Sequence, residues 1–188
     1  MSGPTSRPGV PSLGRPPRPA NPGTCQNRSS SPVRLEVVTA VTKGVQDLMV
    51  EVARVRDAFY SAIYSASNLD AAMALTAADC ALVNLPSGSG ATSADGLRRY
   101  LADDVLPCLP ADLTFRRISR TGDRWRLAQE DIVSFTHDLE LPWLLPGVAP
   151  THRRAEVLAI SVVTVQRSLI TSHRTLWDQT TLLTQLHL

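Results

Sequence analysis

Apolar residues recur at three- and four-residue steps in VQDLMVEVARVRDAFYSAIYSA, where Leu48, Val52, Val55, Phe59 and Ile63 share one side of a helix. The spacing predicts a helix from about Val45. Asn68 is placed to cap a second, short helix, LDAAMALTA, which runs into CALVNLP, a strand candidate stopped by Pro86 and SGSGATS. Ser93 opens a third helix, ADGLRRYLADDVL, ended by Pro107 and Pro110. Beyond them the pattern turns strand-like: LTFRRIS, a TGDR turn, WRLAQEDIVSFTHDLEL, a nearly uncharged LPWLLPG loop, AEVLAISVVTVQR, and SLITSHRTLWDQ before a last helix, TTLLTQL. Three helices followed by long strands predict an α+β fold whose antiparallel sheet pairs as a meander. A curved sheet with helices across one face would leave a cone-shaped pocket between them.

Composition alters this picture at the N-terminus. Residues 1–32 hold more than half of the chain's 14 prolines, four of its 10 glycines and few bulky apolar side chains. Such a segment cannot bury enough surface to offset its ordering entropy. The expected organisation is a disordered Pro/Arg-rich leader over residues 1–44 and one domain over residues 45–188. With 188 residues, 43% of them hydrophobic, the chain is long enough for that domain's core.

The formal net charge of +2 is the sum of unlike parts: residues 1–34 carry five arginines and no acid, and the remainder carries 14 basic and 17 acidic residues. A mildly acidic domain argues against a nucleic-acid partner. Cys25, Cys80 and Cys108 show no CxxC pair, so neither a disulfide framework nor a zinc site is expected. His137, His152, His173 and His187 lack metal-ligand spacing. No window is apolar enough for a membrane span, and no signal peptide is evident, so a cytoplasmic, soluble chain is expected. In AISVVTV, Val157, Ile160, Val162, Val163 and Val165 leave no water-facing strip, which predicts a covered sheet face and a homodimer.

The stretches GDRWRLAQEDIVSFTHDLELPWLLPGVAPTHRRAEV and HRTLWDQTTLLTQL resemble the SnoaL-like polyketide cyclase branch of the nuclear transport factor 2-like superfamily, over roughly residues 45–188. The resemblance implies a small apolar pocket in which a few polar side chains do acid/base work on a hydrophobic carbonyl or polyketide-like substrate. It implies no metal and no organic cofactor. Cyclisation, dehydration and isomerisation of this kind need a base near neutral pKa beside an enolisable carbon.

Period-two alternation puts Asp131, Val133, Phe135 and His137 on one strand face and Glu130, Ile132, Ser134, Thr136 and Asp138 on the other. His173, Thr175 and Trp177 likewise share a face. If the Phe135 face is interior, His137 could meet His173 beneath Trp177 as a general base; both histidines could equally be satisfied structural residues. Asp178, in the intact WDQ triplet, is either a catalytic carboxylate or the N-cap of the last helix. Phe135, Trp177, Trp143 and Glu130 complete the candidate substrate contacts. Pro142, Pro146 and Gly147 fix the path of the loop that carries Trp143, Leu144 and Leu145. Trp143 is read as a lid over the cavity, with a dimer contact as the competing role. The competing function is a non-catalytic ligand-binding or dimerising scaffold.

Overall fold

The computed structural model describes residues 32–188, with side chains from Gly44 onward; of the leader expected to be disordered over residues 1–44, residues 1–31 lie outside the described residues and residues 32–44 are helical. Helix α1 (Pro32–Tyr64) starts well before Val45, with a proline at its first position, where a missing amide proton costs nothing. Val52, Val55, Phe59 and Ile63 are buried as their spacing predicts, whereas Leu48, on the same stripe, is exposed. Arg56 and Tyr60, on a stripe four residues apart beside them, are buried too.

Helix α2 (Leu69–Met73) is shorter than its sequence suggests, although Asn68 caps it by accepting from the Ala71 amide at 2.9 Å. Residues of LDAAMALTA that favour helix are taken by strand β1 (Thr76–Leu85), because Thr76 lies opposite Ile170 in the sheet. Strand β2 (Gly90–Ala91) sits inside the glycine-rich stretch that the pattern leaves as a loop. A Cβ on Gly90 would stand 2.0 Å from the Leu82 carbonyl oxygen, so only glycine allows β2 to approach β1. Helix α3 (Ala94–Arg99), capped by Ser93, widens into a π-helical turn at Tyr100–Val105 and closes with a 3₁₀ turn at Leu106–Cys108.

Strands β3 (Thr114–Gly122), β4 (Arg126–Thr136), β5 (Arg154–Gln166) and β6 (Leu169–Trp177) form the expected meander. Asp123 shapes the first turn by accepting from the amides of Trp125 and Arg126. The six strands lie in the order β2-β1-β6-β5-β4-β3. One pair departs from the antiparallel expectation: β1 and β6 run parallel, because the helices and the other strands intervene between them. Helix α4 (Gln179–Leu186) buries Leu182 and Leu186, and Gln185 bonds the backbone of Glu156 on β5. The curved sheet and its helices enclose one core, and no helix among the described residues is long and apolar enough to cross a membrane.

Candidate functional site

Directly opposed residues on neighbouring strands point to the same face, so the register gives the inner surface row by row. Leu127, Val163, His173 and Leu82 form one row, and Gln129, Ser161, Thr175 and Asn84 the next. Asp131, Ala159 and Trp177 follow, and then the apolar pairs Val133–Val157 and Phe135–Ala155. All of these residues are buried. A band of polar side chains therefore crosses an otherwise apolar concave face.

Buried polar groups are costly unless partnered, and most of this band is. Gln129 Nε2 donates to both Asp131 oxygens at 2.8 Å. Arg120 Nε donates to Gln129 Oε1 at 2.6 Å, and Arg56 Nη2 donates to Asp131 Oδ2 at 3.1 Å. The Arg56 guanidinium lies over the Tyr60 ring, 3.4 Å from its centroid. The Tyr60 hydroxyl meets His173 Nε2 at 3.2 Å. A continuous run, Asp131–Arg56–Tyr60–His173, thus joins the carboxylate to the imidazole.

A second run has a fixed direction. Indole N–H can only donate, so Trp177 Nε1 sets Asn84 Oδ1 as its acceptor, at 3.3 Å. Asn84 Nδ2 then donates to the Tyr100 hydroxyl at 2.8 Å, which leaves the Tyr100 proton for Ser89 Oγ. Ser89 in turn donates to the Trp143 carbonyl oxygen at 2.6 Å. Trp143 Nε1 donates to the Cys108 carbonyl oxygen at 2.9 Å, so both ends of this loop residue are held.

Burial, aided by the Arg56 charge, pulls the His173 pKa down to about 3. The imidazole is neutral near pH 7 and holds a single proton. Tyr60 satisfies only Nε2, and Nδ1 is buried without a partner. In either tautomer Nδ1 is the unmatched nitrogen, a bare acceptor when Nε2 carries the proton and a bare donor when Nδ1 does. Ser161 Oγ and Arg56 Nε are also buried and unpartnered. The Tyr100 and Tyr64 hydroxyls are pushed up by burial, Tyr64 well above the usual phenol value. A small inner cavity of about 10 Å³ is lined by His173, Asn84, Tyr64, Tyr100 and Trp143 among others.

The predicted site residues separate into two groups. His173 and Trp177 line the inner face, Trp143 is buried against Trp177 with ring centroids 5.8 Å apart, and Phe135 belongs to the apolar end of that face. Trp143 itself is buried within its own chain. His137 does not meet His173. The β4 residue level with His173 is Leu127, and the ten positions from 127 to 137 span roughly 33 Å of strand at 3.3 Å each. His137 instead accepts from the Thr151 amide at the mouth of the loop, and burial lowers its pKa. Asp178 is exposed and caps α4, accepting from the Thr181 amide at 3.0 Å, a contact that lowers its pKa. Glu130 points away from the cone and accepts from Ser119.

Arg56, Tyr60, Asn84, Tyr100, Gln129, Asp131 and Ser161 are the inner polar residues that the sequence reading did not select. Their signal is a polar residue in an inward register: Gln129 and Asp131 alternate with Val133 and Phe135, and Ser161 interrupts Ala155, Val157, Ala159 and Val163. Among the described residues no group of three or more His, Cys, Asp or Glu is placed to hold a metal ion.

No protein-family model matches the chain, and no curated protein matches it in sequence. Solved structures do. IdmH of Streptomyces antibioticus, a proposed polyketide cyclase, aligns with 20% identity over 72% of this chain and 98% of its own, at a TM-score of 0.57. An epoxide hydrolase of M. tuberculosis described as LEH-like aligns with 15% identity over 73% and 90%, at 0.55. An NTF2-like protein of unknown function from Burkholderia pseudomallei aligns with 12% identity over 73% and 98%, at 0.57. The chain has the nuclear transport factor 2-like fold, in which polyketide cyclase-type and ketosteroid isomerase-like proteins are also built.

Proposed function

We propose that the protein is a cofactor-independent acid/base catalyst of the cyclase, dehydratase or isomerase type, acting on a small hydrophobic carbonyl compound at the inner polar band. The observation that carries this reading is the band itself: charged and hydrogen-bonding groups gathered on an apolar concave face, with His173 Nδ1 and Ser161 Oγ left unpartnered there. Unsatisfied buried groups cost stability and persist where something else meets them. The proposed polyketide cyclase IdmH, built on the same fold, is consistent with this reading.

In this reading Asp131, held by Arg56 and Gln129, takes the proton from the carbon beside the carbonyl. The C–H electron pair forms a C=C bond and the carbonyl π pair moves onto the oxygen. The Tyr60–His173 pair supplies one hydrogen bond to that oxygen, from the Tyr60 hydroxyl when Nε2 carries the imidazole proton or from Nδ1–H when the Tyr60 proton is given to Nε2. In this scheme the neutral His173 ring is a hydrogen-bonding partner and not the base. Neither His137 nor Asp178 has a part in this scheme.

The test is hydrogen–deuterium exchange at the α-carbon of 2-tetralone in D2O, followed by proton NMR. Wild type accelerates the exchange above buffer, and Asp131→Asn abolishes the acceleration. Exchange at the buffer rate with wild type overturns the reading. One observation favours the scaffold form of the competing function: the cavity beside His173 is about 10 Å³, room for one water and for no substrate or ligand while Trp143 is held.

A further inference from the structure

A cleft of about 410 Å³, within the range of small-molecule sites, opens on the outside of the cone between α1 and the start of β3. Arg56, Tyr60, Ser61, Tyr64, Thr114 and Phe115 contribute to its walls. Tyr64 lines both this cleft and the small inner cavity that holds His173. Three rings form the partition: Tyr64 and Phe115 have centroids 4.7 Å apart, Tyr60 and Tyr64 5.2 Å, and Tyr60 and Phe115 5.7 Å.

The two candidate ways into the cone differ in how they are held. Trp143 is fixed at both ends by hydrogen bonds to Ser89 and Cys108. Tyr64 is the last residue of α1, and no hydrogen bond holds its hydroxyl among the described residues. Residues at a helix end move at lower cost than a doubly bonded core indole. The cleft walls also indicate the ligand. Aromatic faces favour a flat ring, and the two charges in the wall, Arg56 and Asp57, are paired with each other at 3.2 Å, which favours an uncharged molecule.

We propose that this cleft binds a planar, uncharged aryl alcohol or ketone, and that Tyr64 is the door through which its oxygen reaches the unpartnered His173 Nδ1. The proposal rests on the reading of the inner polar band as a ligand-binding face. It places the moving element at Tyr64, where the sequence led to an expectation of a lid at Trp143. A hydroxyl oxygen both donates and accepts, so it matches Nδ1 in either tautomer.

The probe is 2-naphthol, titrated into the full chain and followed by amide proton–nitrogen NMR and by stopped-flow fluorescence. Saturable shifts are expected at Ser61, Ser65, Thr114, Phe115 and His173. Tyr64→Ala raises the association rate about tenfold, as removal of a door that is open about a tenth of the time would. Phe115→Leu, on the edge strand, weakens binding and serves as the second variant should Tyr64→Ala fail to fold. No saturable shift, shifts centred on residues 138–153, or an unchanged rate in Tyr64→Ala would each overturn the proposal. Binding of 2-naphthol involves no proton transfer, so an inactive 2-tetralone assay leaves this result readable on its own.

Discussion

Replacing Trp143 by alanine removes the largest fully buried side chain of the protein, and the cost can be estimated from its surroundings. Deleting a buried aromatic ring from a packed core costs about 3–5 kcal/mol, because the neighbours close the gap only in part. The Cys108 carbonyl loses its donor as well, which adds about 1–3 kcal/mol if no water replaces it. A total of about 4–8 kcal/mol approaches the whole stability of an ordinary domain, about 5–15 kcal/mol. Trp143→Ala should therefore unfold at much lower guanidinium concentration than wild type, with far-UV circular dichroism as the probe and an unchanged slope. Trp143→Phe keeps a ring and loses the donor, and it should fall between the two. A loss below about 1 kcal/mol in Trp143→Ala would refute the reasoning. It would mean that the loop is a loosely seated lid and that Ser89 and Cys108 do not hold it.

Three further outcomes follow from the same geometry. The folded-state pKa of His173, about 3, lies below its unfolded value near 6.5, so the unfolded chain binds the extra proton. Its contribution is complete above pH 6.5 and is lost as pH falls toward 3, at up to about 1.4 kcal/mol per pH unit; His173→Gln should flatten the fall in denaturation free energy between pH 6.5 and 5, and identical slopes would contradict this. Asp178→Ala should weaken amide protection in α4 by hydrogen exchange and leave 2-tetralone exchange unchanged, whereas lost activity would restore Asp178 as a reacting group. On the convex face Ile132, Leu158, Ile160, Val162 and Leu176 lie in adjacent register, and Leu176 is 51% exposed, which supports the proposed homodimer. Ile160→Arg should give monomers in light scattering, and a monomeric wild type would contradict the dimer.

The legible parts of the fold are those where period and punctuation agree. The apolar stripe of α1, the caps at Asn68 and Ser93 and the four-strand meander all follow from local pattern. The parallel β1–β6 pair does not, because nothing within either segment encodes which distant strand it joins. The extension of β1 into Thr76–Asp79 is the same effect, a long-range ladder overriding helical preference.

For the site, alternation put Asp131 with Val133 and Phe135 and His173 with Trp177, as the register does, yet a face is not a level. Only the register shows that His137 and His173 lie far apart along the strands, while Asp131 and His173 join through Arg56 and Tyr60. Arg56 leaves no such trace, since an arginine one turn from Val52 and Tyr60 reads as a solvated helix face. Its burial depends on Asp131, which is distant in sequence.

The central claim is that proton transfer belongs to the inner carboxylate and not to the exposed one. The most direct measurement is the rate of α-hydrogen exchange of 2-tetralone with wild type, Asp131→Asn and Asp178→Asn under one set of conditions. Wild type and Asp178→Asn should exchange at equal rates, and Asp131→Asn at a rate about 10²–10⁴-fold lower. Equal rates for wild type and Asp131→Asn, or a loss confined to Asp178→Asn, would contradict the claim.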